Sequence, residues 1–324
     1  PDPLGRTVVE ITASIEGKVV ASTSAWRSYA EGTSGENVAV TDGWKGVFFP
    51  PAKGVKIGVP VLLLAGSGGG VFRYTAARLA SHGHPTLAFA MFRFPGLPDS
   101  LVNYPIEHVR DGAEWLVNRT GTKRVVVMGV SRGSEAAAHV AVHFPDLFSG
   151  AILMVPSHLS DAGALGPNAK TGDSAWTIGG EPTPVTKAQT LPGYNASSMV
   201  LDKWGSADFE TRYGIPFERV KAPLLVLAAG QDAVWPSWIS ADRIRKRLAA
   251  RGKAGQAEVH IYPKAGHGMV NVGFGSPLST FSYNRLLKGF MALGGEPNGN
   301  CEASFDSVRE TLSFLKRVSK QKNQ

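Results

Sequence analysis

Residues 125–133 read Val-Val-Val-Met-Gly-Val-Ser-Arg-Gly, and Ser-Glu-Ala-Ala-Ala-His-Val-Ala follows at 134–141. The first run is short, β-branched and apolar, as in a buried strand. The second is alanine-rich and helix-forming. Strand and helix therefore meet at Gly129-Val130-Ser131-Arg132-Gly133 with almost no connecting chain. Elements joined this tightly put the serine on a sharp, strained turn, and glycines on either side let neighbouring backbone pass without a clashing Cβ. The pattern G-x-S-x-G between a strand and a helix is a nucleophile elbow, which lifts a serine hydroxyl above the carboxyl end of a sheet. The five residues alone also fit an ordinary Gly-Ser turn; the flanking strand and helix select the elbow.

The rest of the chain supplies the sheet that an elbow needs. Strand and helix patterns alternate from residue 59 onward. Val61-Leu62-Leu63-Leu64 is a continuous apolar run, expected of a parallel strand covered on both faces. Further strands read at 86–90, 151–155, 223–229 and 258–262, with helices near 74–82, 105–118, 238–251 and 304–318. Repeated units of this kind imply a mostly parallel central sheet flanked by helices, with right-handed crossovers. Residues 1–55 read as a short β-rich N-terminal segment and 56–320 as the catalytic domain. Within that domain, 157–216 is rich in Gly, Pro, Ser and Asn and reads as a cap-like excursion over the sheet.

A serine hydroxyl needs a base to become nucleophilic, and the base needs an orienting acid. Asp232 follows the strand 223–229, and His267 follows the strand 258–262 between Gly266 and Gly268. Ser131, Asp232 and His267 thus occur in the order Ser, Asp, His, each after a strand, where open α/β sheets place their sites. This is the order of the α/β-hydrolase fold. For the oxyanion hole we expect the backbone N–H of Arg132, the residue after the nucleophile, and that of Gly69 in the loop Gly66-Ser67-Gly68-Gly69-Gly70. A phosphate-binding reading of this loop is weaker, because it lacks the Gly-Lys-Ser/Thr ending of a P-loop. Phe92, after the strand 86–90, and Trp176 and Trp204, within 157–216, are expected to contact substrate, with Leu191, Tyr194 and Met199 as further apolar wall.

Composition narrows the partners. The formal net charge is +8, but the basic residues are scattered apart from the group at 316–322, and no nucleic-acid-binding motif occurs. No apolar run reaches the ~18 residues of a membrane span. His139 and His143 stand four apart on the helix after the elbow without a further ligand pair, so no metal and no cofactor are expected. Cys301 is the single cysteine, which excludes an internal disulfide framework. These features fit a soluble bacterial protein of the cytoplasm, with export behind a removed signal as the alternative. The partner is a small-molecule acyl substrate, and the oligomeric state is left open.

Three stretches resemble a known family. They are Leu64-Ala65-Gly66-Ser67-Gly68-Gly69-Gly70, Gly129-Val130-Ser131-Arg132-Gly133-Ser134-Glu135 and Tyr262-Pro263-Lys264-Ala265-Gly266-His267, with Gly294-Gly295-Glu296-Pro297 near the end. Together they are similar to the acyl-CoA thioesterase and bile acid-CoA:amino acid N-acyltransferase group of α/β-hydrolases. The resemblance implies cleavage of acyl thioesters through Ser131, His267 and Asp232 with an acyl-enzyme intermediate. It also implies a hydrolase rather than a transferase, because the transferases of that group use cysteine where Ser131 stands. Arg73 and Thr75 depart from the family's usual acidic residue and arginine. A carboxylic-ester hydrolase or an acyltransferase on the same triad is the alternative.

Overall fold

The computed structural model describes residues 7–27, 30, 32–41, 43–163, 173–185, 204, 206–270, 280–284 and 289–321. Leu191, Tyr194 and Met199 lie outside the described residues. The first two strands, β1 (Thr7–Ile15) and β2 (Lys18–Arg27), form an antiparallel ribbon. Its two-residue turn is Glu16-Gly17, with φ of 50° and 80°. Positive φ at both central positions matches the right-handed twist of the flanking strands.

The main sheet has eight strands. In chain order they are β3 (Glu36–Thr41), β4 (Trp44–Phe49), β5 (Val61–Leu64), β6 (Thr86–Ala90), then β8 (Val125–Val130), β9 (Phe148–Met154), β12 (Leu224–Ala229) and β13 (Ala257–Tyr262). Their spatial order is β13-β12-β9-β8-β5-β6-β4-β3, and the six from β13 to β6 run parallel. β4 pairs antiparallel with β6, and β3 antiparallel with β4. The strands at 36–49 therefore belong to the main sheet. The physical reason is burial: Trp44 is 1% exposed and stacks on Phe89 of β6 with ring centroids 5.0 Å apart.

Strand periodicity builds a core on each face of this sheet. Val61 and Leu63 point into a layer with Ala76, Ala77 and Ala80 of α1 (Arg73–Ser81). Leu62 and Leu64 point the other way, toward α2 (Ile106–Thr120) and α3 (Arg132–His143). The second layer also takes Ala241, Ile244 and Leu248 of a helix at Ser237–Ala249, while the first takes Phe314, Leu315 and Val318 of the last helix, Pro297–Gln321. Truncating a fully covered residue such as Leu62 to alanine costs about 2–5 kcal/mol. Among the described residues, no helix is long and apolar enough to cross a membrane.

The described residues of the excursion after β9 pack against the stretch before α2. Tyr104–Pro105 (β7), Trp176–Ile178 (β10) and Glu181–Pro182 (β11) make a three-stranded sheet, and bridges join Leu159 to Gly214 and Ala162 to Ser174. A last hairpin, β14 (Phe281–Asn284) with β15 (Gly289–Ala292), leads into Leu293 beside the carboxyl ends of β12 and β13.

Candidate active site

The carboxyl ends of β8, β12 and β13 converge. Ser131 ends β8 and precedes α3 with φ 54° and ψ −120°. For a residue other than glycine this conformation is strained, and such strain concentrates at functional sites. Close packing explains both elbow glycines. A Cβ on Gly129 would lie 2.0 Å from the Gly133 carbonyl oxygen, and one on Gly133 would lie 2.4 Å from that of Leu64. The serine amide donates to the Met154 carbonyl at 3.0 Å, which ties the turn to the neighbouring strand.

The structure brings Ser131, Asp232 and His267 together. His267 Nε2 lies 2.9 Å from Ser131 Oγ, and His267 Nδ1 lies 2.9 Å from Asp232 Oδ2 and 3.0 Å from Oδ1. The three residues are 7%, 2% and 5% exposed, so the chain of hydrogen bonds sits out of bulk water. The amides of Val234 and Trp235 donate to Asp232 Oδ1 at 3.0 and 3.2 Å. That fixes the carboxylate, which in turn fixes the imidazole tautomer with a proton on Nδ1.

Further residues brace Asp232 and His267. Trp235 meets the His267 ring edge to face at 5.7 Å, and its indole N–H donates to the Val155 carbonyl at 3.0 Å. The Leu293 carbonyl accepts from the His267 amide at 2.7 Å and from Ala233 at 3.3 Å. Asn300 accepts the Gly266 amide at 2.7 Å and donates to the Gly294 carbonyl at 3.3 Å. Bridges Asp232–Gly294 and Ala265–Gly295 complete the clamp. Local sequence gives no signal for Trp235, Leu293 or Asn300; the Gly294-Gly295 pair beside them is the one mark that could have pointed there.

The glycine loop differs from expectation. The Gly69 amide donates to the Gly66 carbonyl at 3.0 Å and the Gly70 amide to Phe92 at 2.9 Å, so the Gly69 N–H turns back into its own loop. Positive φ at both, 67° and 65°, curls the chain that way. Among the described residues, no backbone carbonyl accepts the amides of Ser67 and Gly68. Gly66 lies against Ser131, since a Cβ there would sit 3.3 Å from Ser131 Cβ. Arg132 opens α3, where first-turn amides lack intrahelical acceptors.

The residues expected to contact substrate are all at most 1% exposed. The Phe92 ring packs on Gly69. Trp176 lies in the core beside α3, and its indole N–H donates to Glu135 at 2.8 Å. Trp204 donates to Ser240 Oγ at 2.9 Å and packs 6.3 Å from Trp235, one ring removed from His267.

An ion network lies under the elbow. Arg132 and Glu135 are 3% and 0% exposed, with Nη1 to Oε2 at 2.8 Å. Burial pushes the Glu135 carboxyl above the ordinary range, against the pull of Arg132. His139, one turn on, is held neutral: burial lowers it to about 3, and its Nε2 pairs with Ser160 Oγ at 2.9 Å. His158 is likewise lowered to about 3 by burial, with Arg243 and Arg247 adding to it. His143, half-buried, stacks on His139 at 6.1 Å, and no ligand set gathers there among the described residues. The described group that could hold a cation is elsewhere, at Glu258, His260 and Glu310.

Comparison with known proteins follows this geometry. The family model "BAAT / Acyl-CoA thioester hydrolase C terminal" matches residues 104–321. Acyl-coenzyme A thioesterase 1 of Mus musculus is 26% identical over 271 residues, covering 83% of this chain and 61% of the relative. Acyl-coenzyme A amino acid N-acyltransferase 1 of the same species is 24% identical over 276 residues, covering 84% and 62%. The chain thus spans about three-fifths of the length of these curated relatives. Among solved structures, the acylaminoacyl peptidase of Pyrococcus horikoshii superposes with a TM-score of 0.52 at 14% identity, over 89% of this chain and 42% of that one. It is a likeness of fold.

Proposed function

The chain belongs to the BAAT / acyl-CoA thioester hydrolase C-terminal family within the α/β-hydrolases, and on that premise we propose that it is a serine hydrolase of acyl thioesters. The observation that carries the reading is the path from Ser131 Oγ through the His267 ring to Asp232, with both hydrogen bonds at 2.9 Å. His267 takes the hydroxyl proton as Ser131 Oγ attacks the acyl carbonyl. The resulting oxyanion is held by the Arg132 amide and, in place of Gly69, by the amides of Ser67 and Gly68. Collapse expels the thiolate, which His267 protonates, and leaves an ester on Ser131. A water molecule then gives a proton to His267 as its oxygen attacks that ester; collapse breaks the bond to Ser131 Oγ, His267 returns the proton to that oxygen, and the acid is released. Asp232 stays ionised throughout and stabilises the imidazolium. A thiol leaves more readily than an alcohol, because its pKa of ~8.5 is far lower.

Acyl transfer to an amine on the same triad is the second reading, supported by the similarity to an N-acyltransferase. An oxygen ester would follow the same steps with an alcohol leaving. One experiment separates these. The purified protein is incubated with a fluorophosphonate, the labelled peptide is mapped, and hydrolysis of an acyl-CoA series is compared with p-nitrophenyl esters, with and without an amino acid acceptor. We expect the label on Ser131 and thiol release from acyl-CoA without an acceptor. Label on another residue, or amide product formed in preference to free acid, refutes the thioesterase reading.

A further inference from the structure

Glu135 is fully buried on the first turn of α3 and joins three separate segments. Its Oε2 accepts from Arg132 Nη1 at 2.8 Å. Its Oε1 accepts the Asp161 amide at 2.7 Å and the Trp176 indole N–H at 2.8 Å. The Arg132 guanidinium is gripped at its other nitrogen too, donating to the Ala162 carbonyl at 3.0 Å. The Asp161 carboxylate lies 3.8 Å from Nη1, and the guanidinium lies 5.6 Å from the Trp235 ring, which abuts His267.

A buried carboxylate and guanidinium are expensive to desolvate, and a well-packed apolar pair of the same volume is often as stable. Fold stability alone is therefore a poor reason for this arrangement. Its position supplies a better one. Oxyanion stabilisation depends on donors that are already in place when charge develops, and a small misplacement forfeits much of the effect. Arg132 bears both a side chain held at two points and the amide beside Ser131. Resting on the serine-hydrolase reading above, we infer that Glu135 is a positioning residue: by clamping the Arg132 side chain against the 161–162 loop, it holds the Arg132 backbone N–H where the acyl oxyanion forms.

The test uses Glu135→Gln, which keeps an oxygen acceptor for Asp161 and Trp176 and removes the charge that grips Arg132. Arg132→Lys makes the complementary change, keeping the backbone amide and the charge but losing the fork. Each variant is assayed for kcat and KM with one activated acyl ester. Each is also assayed for Ki with a trifluoromethyl ketone, to whose carbonyl Ser131 adds to leave an oxyanion. For Glu135→Gln we expect kcat to fall about 10- to 50-fold, KM to stay within about twofold, and Ki to rise by the factor lost from kcat. Arg132→Lys should do the same, and the double variant should lose little more than either alone, because the two act as one unit. Additive losses, or a full kcat with unchanged Ki in Glu135→Gln, overturn the inference; either single variant decides by its kcat and Ki if the other fails to fold. If wild-type protein neither labels at Ser131 nor hydrolyses any acyl donor, the functional reading itself has failed and the inference falls with it.

Discussion

His139→Gln should change how stability responds to acid more than how it stands at neutral pH. In the native state His139 is buried, its Nδ1 has no partner among the described residues, and its Nε2 pairs with a serine hydroxyl. Burial lowers it from 6.5 to about 3. The unfolded chain therefore binds a proton that the native chain refuses between those values. The contribution of neutral His139 is complete above pH 6.5 and is lost as pH falls toward 3. Integrating the linkage from pH 7 to 4.5, this one side chain costs the wild type about 2–3 kcal/mol. Glutamine can reach Ser160 from the same position and does not titrate. Glu135, raised by burial, works in the opposite sense as pH falls, and His158 works in the same sense as His139. Both are present in wild type and variant, so they cancel in the difference. Urea unfolding followed by tryptophan fluorescence at pH 7.0, 5.5 and 4.5 gives both curves. The variant starts less stable by about 1–2 kcal/mol, from a weaker packing fit, and the gap closes or reverses by pH 4.5. Curves that stay parallel to within about 0.5 kcal/mol across that range would refute the assignment of a buried, neutral His139.

Three further outcomes are expected. Ser131→Ala abolishes turnover and fluorophosphonate labelling while the unfolding midpoint stays near wild type; residual turnover above about 1% of wild type in a folded variant counts against Ser131 as nucleophile. Asn300→Ala strips the Gly266 amide of its buried acceptor, costs about 1–3 kcal/mol by unfolding, and lowers kcat because the next residue is His267; a stability loss with unchanged kcat would mean that the clamp does not act on the base. Trp204→Ala and Trp176→Ala test whether these rings set acyl-chain preference: kcat/KM is compared across short, medium and long donors, and a uniform change over all lengths assigns them to packing alone.

The meeting of Ser131, Asp232 and His267 was legible because the position of each follows a local rule. Gly129 to Gly133 announce the elbow by spacing; Asp232 follows the continuous apolar run of a covered strand, and His267 follows the alternating Glu258-Val259-His260-Ile261-Tyr262 of a half-exposed edge strand. What escaped depends on contacts between residues far apart in the chain. Nothing near Trp44 says that its ring will stack on Phe89 and draw residues 36–49 into the main sheet. Nothing near Asn300 says that its amide will meet Gly266. Gly69 was chosen for the oxyanion hole from its place in a glycine run, yet the direction of its N–H depends on φ at Gly69 and Gly70, which a run of glycines leaves undetermined. Val155 and Arg93 adopt φ of 42° and 50° beside the site, and neither residue type advertises such a conformation.

The clamp on acid and base also has a consequence in time. Leu293, Gly294, Gly295 and Asn300, which close over the loops of Asp232 and His267, are synthesised after every residue of the triad. A ribosome adds about 5–20 residues per second, and domains fold as units as they emerge. A nascent chain that already displays Ser131 therefore lacks the parts that hold its base in line. On the serine-hydrolase reading proposed above, its hydroxyl lacks an aligned base until Asn300 and the Gly294-Gly295 turn have emerged to close on Gly266 and Asp232.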